Sequence, residues 1–229
     1  MANAPLFGDF RDRALALALE KAAEELDNEK LSELDWVNLY SRHEAAPKTR
    51  DAMFEVLVDR LDDIDNLLLQ DDSPRETWAL ISEERIMRRE IARQLRVTAN
   101  GAYKVDQESV TADEKETNVR LRSTASSQQA VIELKLGEKD RSGRDLRETL
   151  RDQLVAKYMA SENCRSGCLL ITVAKDRKWQ HPESNVMLDL VGSEEMLCDE
   201  ARKIESEMGY SLRLTAKILD LRPRLKTER

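Results

Sequence analysis

Glu133 and Lys135 stand one residue apart in the otherwise apolar segment Val131-Ile132-Glu133-Leu134-Lys135. Residues i and i+2 of a β-strand share a face, so the two side chains point together, about 7 Å apart along the backbone. A carboxylate in this position can bind a divalent metal through oxygen. A neighbouring ammonium can orient or deprotonate a water and stabilise negative charge. The other reading is a solvated or structural ion pair on one strand face, since E-x-K is a common tripeptide. Burying such a pair on an apolar strand carries a desolvation penalty. Upstream, Thr117 to Arg122 sets Val119 and Leu121 against Asn118, Arg120 and Arg122, the alternation of a half-buried strand.

The scaffold for these residues can be read from the hydrophobic periods. From Phe7 to about Asp72 the spacing is helical, first through Ala14, Leu15, Ala18, Leu19, Ala22 and Leu26, then through Met53, Leu57, Leu61, Ile64, Leu67 and Leu68. Asp71 to Pro74 reads as a break, with Ser73 or the aspartates capping the next helix. That helix runs from Arg75 or Ser82 to Val97 and stops before the Asn100-Gly101 turn signal. The period then becomes alternating. Strands are predicted over 102–108, 117–122 and 130–136, where Ile132, Leu134 and Leu136 face one side and Val131, Glu133 and Lys135 the other. A helix is expected from Arg144 to Met159, then a strand from Gly167 to Ala174 covered on both faces. Val186 to Val191 is predicted as a strand and Ser193 as the cap of a helix that Gly209 closes. Leu212, Leu214, Ala216 and Ile218 alternate in a final strand. The expected architecture is α/β, a mixed sheet flanked by helices (residues 79–229) behind an α-helical N-terminal region (residues 1–78). Residues from about Ser82 onward are expected to fold without the first 70 or so.

Composition limits the function classes. The chain has 229 residues, 36% charged and 41% hydrophobic, which suits a globular protein with one good core. A net charge of −8 supplies no overall basic field, so contact with nucleic acid would need a local basic groove. The longest apolar run, near Cys168 to Ala174, is too short to span a bilayer, and no secretory signal pattern opens the chain. Cys164, Cys168 and Cys198 cannot all pair, and are read as reduced thiols of a cytoplasmic protein. P-loop, G-x-G-x-x-G and G-x-S-x-G motifs are absent, which removes the usual parts of an ATPase, a dinucleotide enzyme or a serine hydrolase.

The strings ETNVRLRS, AVIELKLGEK, LRDQLVAKYM and SGCLLITVA, in this order over roughly residues 82 to 180, resemble the PD-(D/E)xK nuclease superfamily. The likeness is to its restriction-endonuclease-like domains attached to bacterial NTPase or repeat proteins, some of them active in defence against phage. The resemblance implies a metal-dependent nuclease using Mg²⁺ or Mn²⁺ on DNA, with a larger NTPase or repeat assembly, another protein or a second copy as partner. It assigns Glu133 as metal ligand, Lys135 as the group that positions the attacking water or supports the transition state, and Glu90 as an acidic residue reaching the metal or its waters. Gln153 would lie near substrate or metal. Tyr158 is read as core.

One position departs from the pattern. Where the family holds an aspartate as central metal ligand, this chain has Asn118, a neutral and poorer ligand for Mg²⁺. Three explanations stay open: a naturally inactive domain, a substitution introduced to trap substrate, or rescue by Asp113, Glu114 or Glu116. Arg144, Arg147 and Arg151 lie near one face of the helix after the E-x-K strand, where they could contact phosphates. Alternation with Asp145, Glu148 and Asp152 also fits a salt-laced solvated face. The alternative to an enzyme is a nuclease-like scaffold that binds nucleic acid or protein.

Overall fold

The computed structural model describes residues 45–107 and 118–223, with residue 15 and residues 17–19, which are helical. The rest of the helical reading over residues 7–44, and residues 108–117 with Asp113, Glu114 and Glu116, lie outside the described residues. The chain divides into two compact units, Met1–Glu44 and Ala45–Arg229. The second carries a five-stranded mixed sheet covered by helices on both faces.

Thr49 accepts a hydrogen bond from the Ala52 amide (3.2 Å) and so caps α1, Arg50–Leu67. This helix buries Met53, Leu57, Leu61 and Ile64 at helical spacing. A short α2 (Arg75–Ala79) comes next, with Pro74 at its N-cap and no side-chain cap, so neither Ser73 nor the aspartates serve. The third helix, α3 (Glu84–Val97), buries Met87, Ile91, Ala92 and Leu95. Asn100 (φ 46°) and Gly101 (φ 76°) then turn the chain, as the dipeptide predicts. The strands are β1 (Tyr103–Gln107), β2 (Val119–Ser123) and β3 (Gln129–Leu136), joined antiparallel.

The chain returns through α4 (Gly143–Glu148), whose Ser142–Asp145 capping box fixes its start. Its continuation from Thr149 to Tyr158 is wound as a π-helix. Strand β4 (Cys164–Val173) then runs parallel to β3. A hairpin of two-residue strands, β5 (Trp179–Gln180) and β6 (Met187–Leu188), replaces the strand expected over 186–191. That region is shorter as a strand because α5 (Leu190–Glu207) starts early. Asp189 accepts from the Gly192 amide (2.9 Å) and caps it, which puts Ser193 inside the helix. Gly209 (φ 61°) lies just past its end, as expected. Last comes β7 (Arg213–Asp220), parallel to β4, and the sheet order is β1-β2-β3-β4-β7.

The core forms one layer on each side of the sheet. Helices α1 and α3 cover Leu121, Ile132, Leu134, Leu136 and Leu170 on one face. The α4–π segment and α5 cover Val131, Leu169, Ile171, Leu214 and Ile218 on the other. The unit therefore begins at Ala45 instead of near residue 79, because α1 supplies one wall of this core. Cys164, Cys168 and Cys198 are free thiols, and no helix among the described residues is long and apolar enough to cross a membrane.

The edge strand β7 is closed by side chains of α5. Glu205 accepts from the Leu214 amide (2.5 Å), Glu194 from the Ile218 amide (2.5 Å), and the Cys198 thiol donates to the Ala216 carbonyl (3.3 Å). Backbone groups that would invite another strand are thus satisfied. Burial pushes the Glu194 carboxyl up; Asp62 and Asp65 act in the same direction, while the Ile218 amide and Lys217 oppose it. A carboxyl with a raised folded pKa contributes stability below its unfolded value, near 4.3, and loses it as pH rises through the folded value. At neutral pH the wild-type protein therefore carries a burial penalty that glutamine avoids while keeping an acceptor oxygen for Ile218. Glu194→Gln is expected to raise the melting temperature at pH 7, with the difference vanishing below about pH 4. Melting curves of both proteins from pH 3 to 8 test this, and an equal or lower melting temperature at pH 7 would contradict it.

Candidate active site

Strand β3 occupies the middle of the sheet, so both of its faces are buried and Glu133 and Lys135 are not on a solvated face. Their side chains form an ion pair of 2.6 Å at 4% and 5% exposure, beneath the layer that holds Val131, Leu150 and Leu154. Two opposite charges this far from water offset part of each other's desolvation penalty.

Asn118 immediately precedes β2. The antiparallel register pairs Val119 with Ile132 and Arg120 with Val131, so one further step sets Asn118 opposite Glu133. Directly opposed residues share a face. Asn118 is itself 2% exposed, and its Nδ2 has no hydrogen-bond partner among the described residues. Arg120 stands on the same face, two residues along, a placement that strand alternation alone supplies. The register thus sets Asn118 beside Glu133 on the neighbouring strand.

Gln153 lies on the π-wound segment, which packs on β3 and β4, and its Oε1 is buried without a partner among the described residues. Tyr158, five residues on, is in the core, as read from the sequence. Glu90 belongs to α3, in the layer over the opposite face of the sheet, and its partner is Arg93 at 3.7 Å. The α3 carboxylate that does approach β3 is Glu84. Its Oε1 lies 3.5 Å from the Leu136 amide and 2.9 Å from the Arg141 guanidinium. Only the position of Glu84 in the first turn of α3 could have signalled this.

The three arginines after the E-x-K strand separate in role. Arg147 pairs with Glu183 (3.0 Å) and Glu200 (3.3 Å), and Arg151 with Glu200 (2.8 Å) and Glu207 (2.8 Å). These partners lie on α5 and the β5–β6 hairpin, not among the adjacent acids of their own helix. Arg147 and Arg151 tie the α4–π segment to α5, while Arg144 remains exposed at the start of α4.

As a metal site the described residues are short of ligands. No three His, Cys, Asp or Glu among them come together in a group that could hold a metal ion. Glu133 already faces an ammonium, and Asn118 offers a neutral amide where Mg²⁺ favours anionic oxygen. The set does not fit Mg²⁺ as it stands. Its own chemistry is that of a buried ammonium–carboxylate pair beside an amide whose Nδ2 has no partner among the described residues, able to donate to an oxyanion and to orient a water. Comparison with family models, curated proteins and solved structures returns no match.

Proposed function

We propose that this chain is a nuclease-like domain of the PD-(D/E)xK type, acting on DNA, whose hydrolytic centre is weakened by Asn118. The observation that carries this reading is the buried Glu133–Lys135 pair on the central strand, with Asn118 opposite Glu133 in register. A strand order in which an antiparallel β1-β2-β3 meander is succeeded by a helical crossover to β4 also supports it. In this reading Lys135 stabilises charge that develops on the phosphoryl oxygens, Glu133 holds the attacking water, and Gln153 offers a buried acceptor to substrate or water. Mg²⁺ or Mn²⁺ would supply further charge neutralisation once a second carboxylate is present.

Asn118→Asp is the direct test. The wild-type protein is expected to bind Mg²⁺ and Mn²⁺ weakly and to nick plasmid DNA poorly, while the variant gains on both counts. Calorimetric titration of each ion into both proteins, run beside a plasmid-nicking assay, reads the two effects. If neither form binds metal or cuts DNA, the enzyme reading falls. The second reading, a non-catalytic scaffold for nucleic acid or a protein partner, draws its support from the missing three-ligand group among the described residues.

A further inference from the structure

We infer that the carboxyl-terminal ends of the parallel strands carry a phosphate-binding track for a nucleic-acid strand, centred on Lys175 and Lys178. Two grooves open there, of about 830 Å³ and about 510 Å³, and both are lined by Asp176 and Arg222. The crevice beyond the carboxyl ends of parallel strands is where open α/β sheets bind ligands. Here it is built by the loop after β4, the segment after β7 and the start of α5.

The lining carries both signs, and the two signs are held differently. Each carboxylate has a partner: Asp65 holds Lys217 (3.1 Å), Asp176 and Asp220 both hold Arg222 (2.9 and 2.8 Å), and Asp189 caps α5. The cations are not so matched. Arg75 donates to the carbonyls of Leu68 and Arg222, and Arg177 donates to the Arg141 carbonyl while lying over the Trp179 ring. Lys175 and Lys178 are exposed. Among the described residues none of these four cations makes an ion pair with a carboxylate, and the two linings together hold five cations (Arg75, Lys175, Arg177, Lys178 and Arg222) against four carboxylates (Asp65, Asp176, Asp189 and Asp220), an excess of one positive charge in a chain of net charge −8. A polyanion with regularly spaced charges is the ligand class that several separated cations along connected grooves would hold.

The track lies at the end of the sheet to which β3 leads. Leu136, next to Lys135, is in register with Thr172, and Gly137 donates to the Thr172 carbonyl (2.8 Å). Glu138 then accepts from the amides of Ala174 and Lys175, locking the β3 and β4 loops together. A strand bound along Lys175 and Lys178 would pass the end of the strand that carries Glu133 and Lys135. The inference rests on the nucleic-acid reading of that site and names where the substrate backbone is gripped.

The test is binding, not cleavage. Fluorescence anisotropy with a short labelled DNA duplex and its single strand, over a salt series, compares the wild type with Lys175→Glu/Lys178→Glu. A control, Lys104→Glu/Arg202→Glu, makes the same change of net charge elsewhere on the surface. The track variant is expected to lose at least about tenfold in affinity, and Lys175→Ala/Lys178→Ala to flatten the salt dependence by roughly two phosphate contacts. The control should keep most of its affinity, and all variants should melt like the wild type. Equal losses in track and control variants overturn the track, as does salt-sensitive binding to anionic vesicles but not DNA. If Asn118→Asp cuts DNA and the track variants bind it undiminished, the track fails while the nuclease reading stands. If Asn118→Asp cuts nothing but the track variants still lose DNA, the nuclease reading fails and the track stands.

Discussion

In an Asn118→Asp background, Lys135→Ala is expected to abolish DNA cleavage, by roughly 10²-fold or more, and also to lower the melting temperature. The first effect follows if the ammonium acts on charge that develops in the transition state. The second follows from burial. Lys135 sits 2.6 Å from Glu133 at 5% exposure, so its removal leaves a buried carboxylate without that counter-charge. Breaking a buried pair in this way costs about 3–5 kcal/mol, and each kcal/mol is worth roughly 2–4 °C in a domain of this size. From the shared strand face alone the lysine would be expected to leave stability nearly untouched. A second variant separates the two effects. Glu133→Gln/Lys135→Met removes both charges while keeping similar volume, and is expected to hold close to the parent melting temperature yet remain inactive. Cleavage at the parent rate by a folded Lys135→Ala protein would make the lysine purely structural.

The features legible in the sequence were periodic and local. The alternation of Ile132, Leu134 and Leu136 with Val131, Glu133 and Lys135 specified β3 and the shared face of the charged pair. The opposition of Asn118 and Glu133 came from the register of β2 on β3, which no periodicity announces. The features that stayed hidden depend on partners distant in the chain. Alternation along one strand does not tell how many layers cover it, so the burial of Glu133 had to wait for the α4–π segment above it. Arg147 and Arg151 have acids beside them in sequence, but their partner Glu200 is about fifty residues away on α5. Ser193 with two glutamates after it carries a strong capping signature, yet Asp189 begins the helix one turn earlier. The apolar stripe of α1 announced a helix and gave no sign of which surface it would cover. The π winding of Thr149–Tyr158 has no mark in the spacing of Leu150, Leu154 and Tyr158, which an α-helix would satisfy equally well.

The unit boundary yields the other large effect. A chain beginning at Ala45 is expected to fold, whereas one beginning near residue 70 is not. Residues 45–70 contain α1, whose Met53, Leu57, Leu61 and Ile64, with Leu68 just beyond it, are each 2% exposed or less. All five pack in the cluster that includes Ile132, Leu134 and Leu136 of the central strand. Burial of each such side chain is worth about 1.5–3 kcal/mol, so deleting α1 forfeits on the order of 10 kcal/mol, comparable to the whole stability of a typical domain. Polar ties go with it. Lys217 of β7 loses both Asp62 (2.9 Å) and Asp65 (3.1 Å), Ser166 of β4 loses the Arg50 carbonyl (3.0 Å), and Arg213 loses the Phe54 ring beneath it. The opposite face of the sheet would keep its own layer, so the short chain is expected to retain helical signal while melting without cooperativity. Circular dichroism and differential scanning fluorimetry of chains starting at residues 45 and 71 make the comparison. A cooperative transition in the shorter chain at the full-length temperature would show α1 to be an accessory and return the boundary to the break at Asp71 to Pro74.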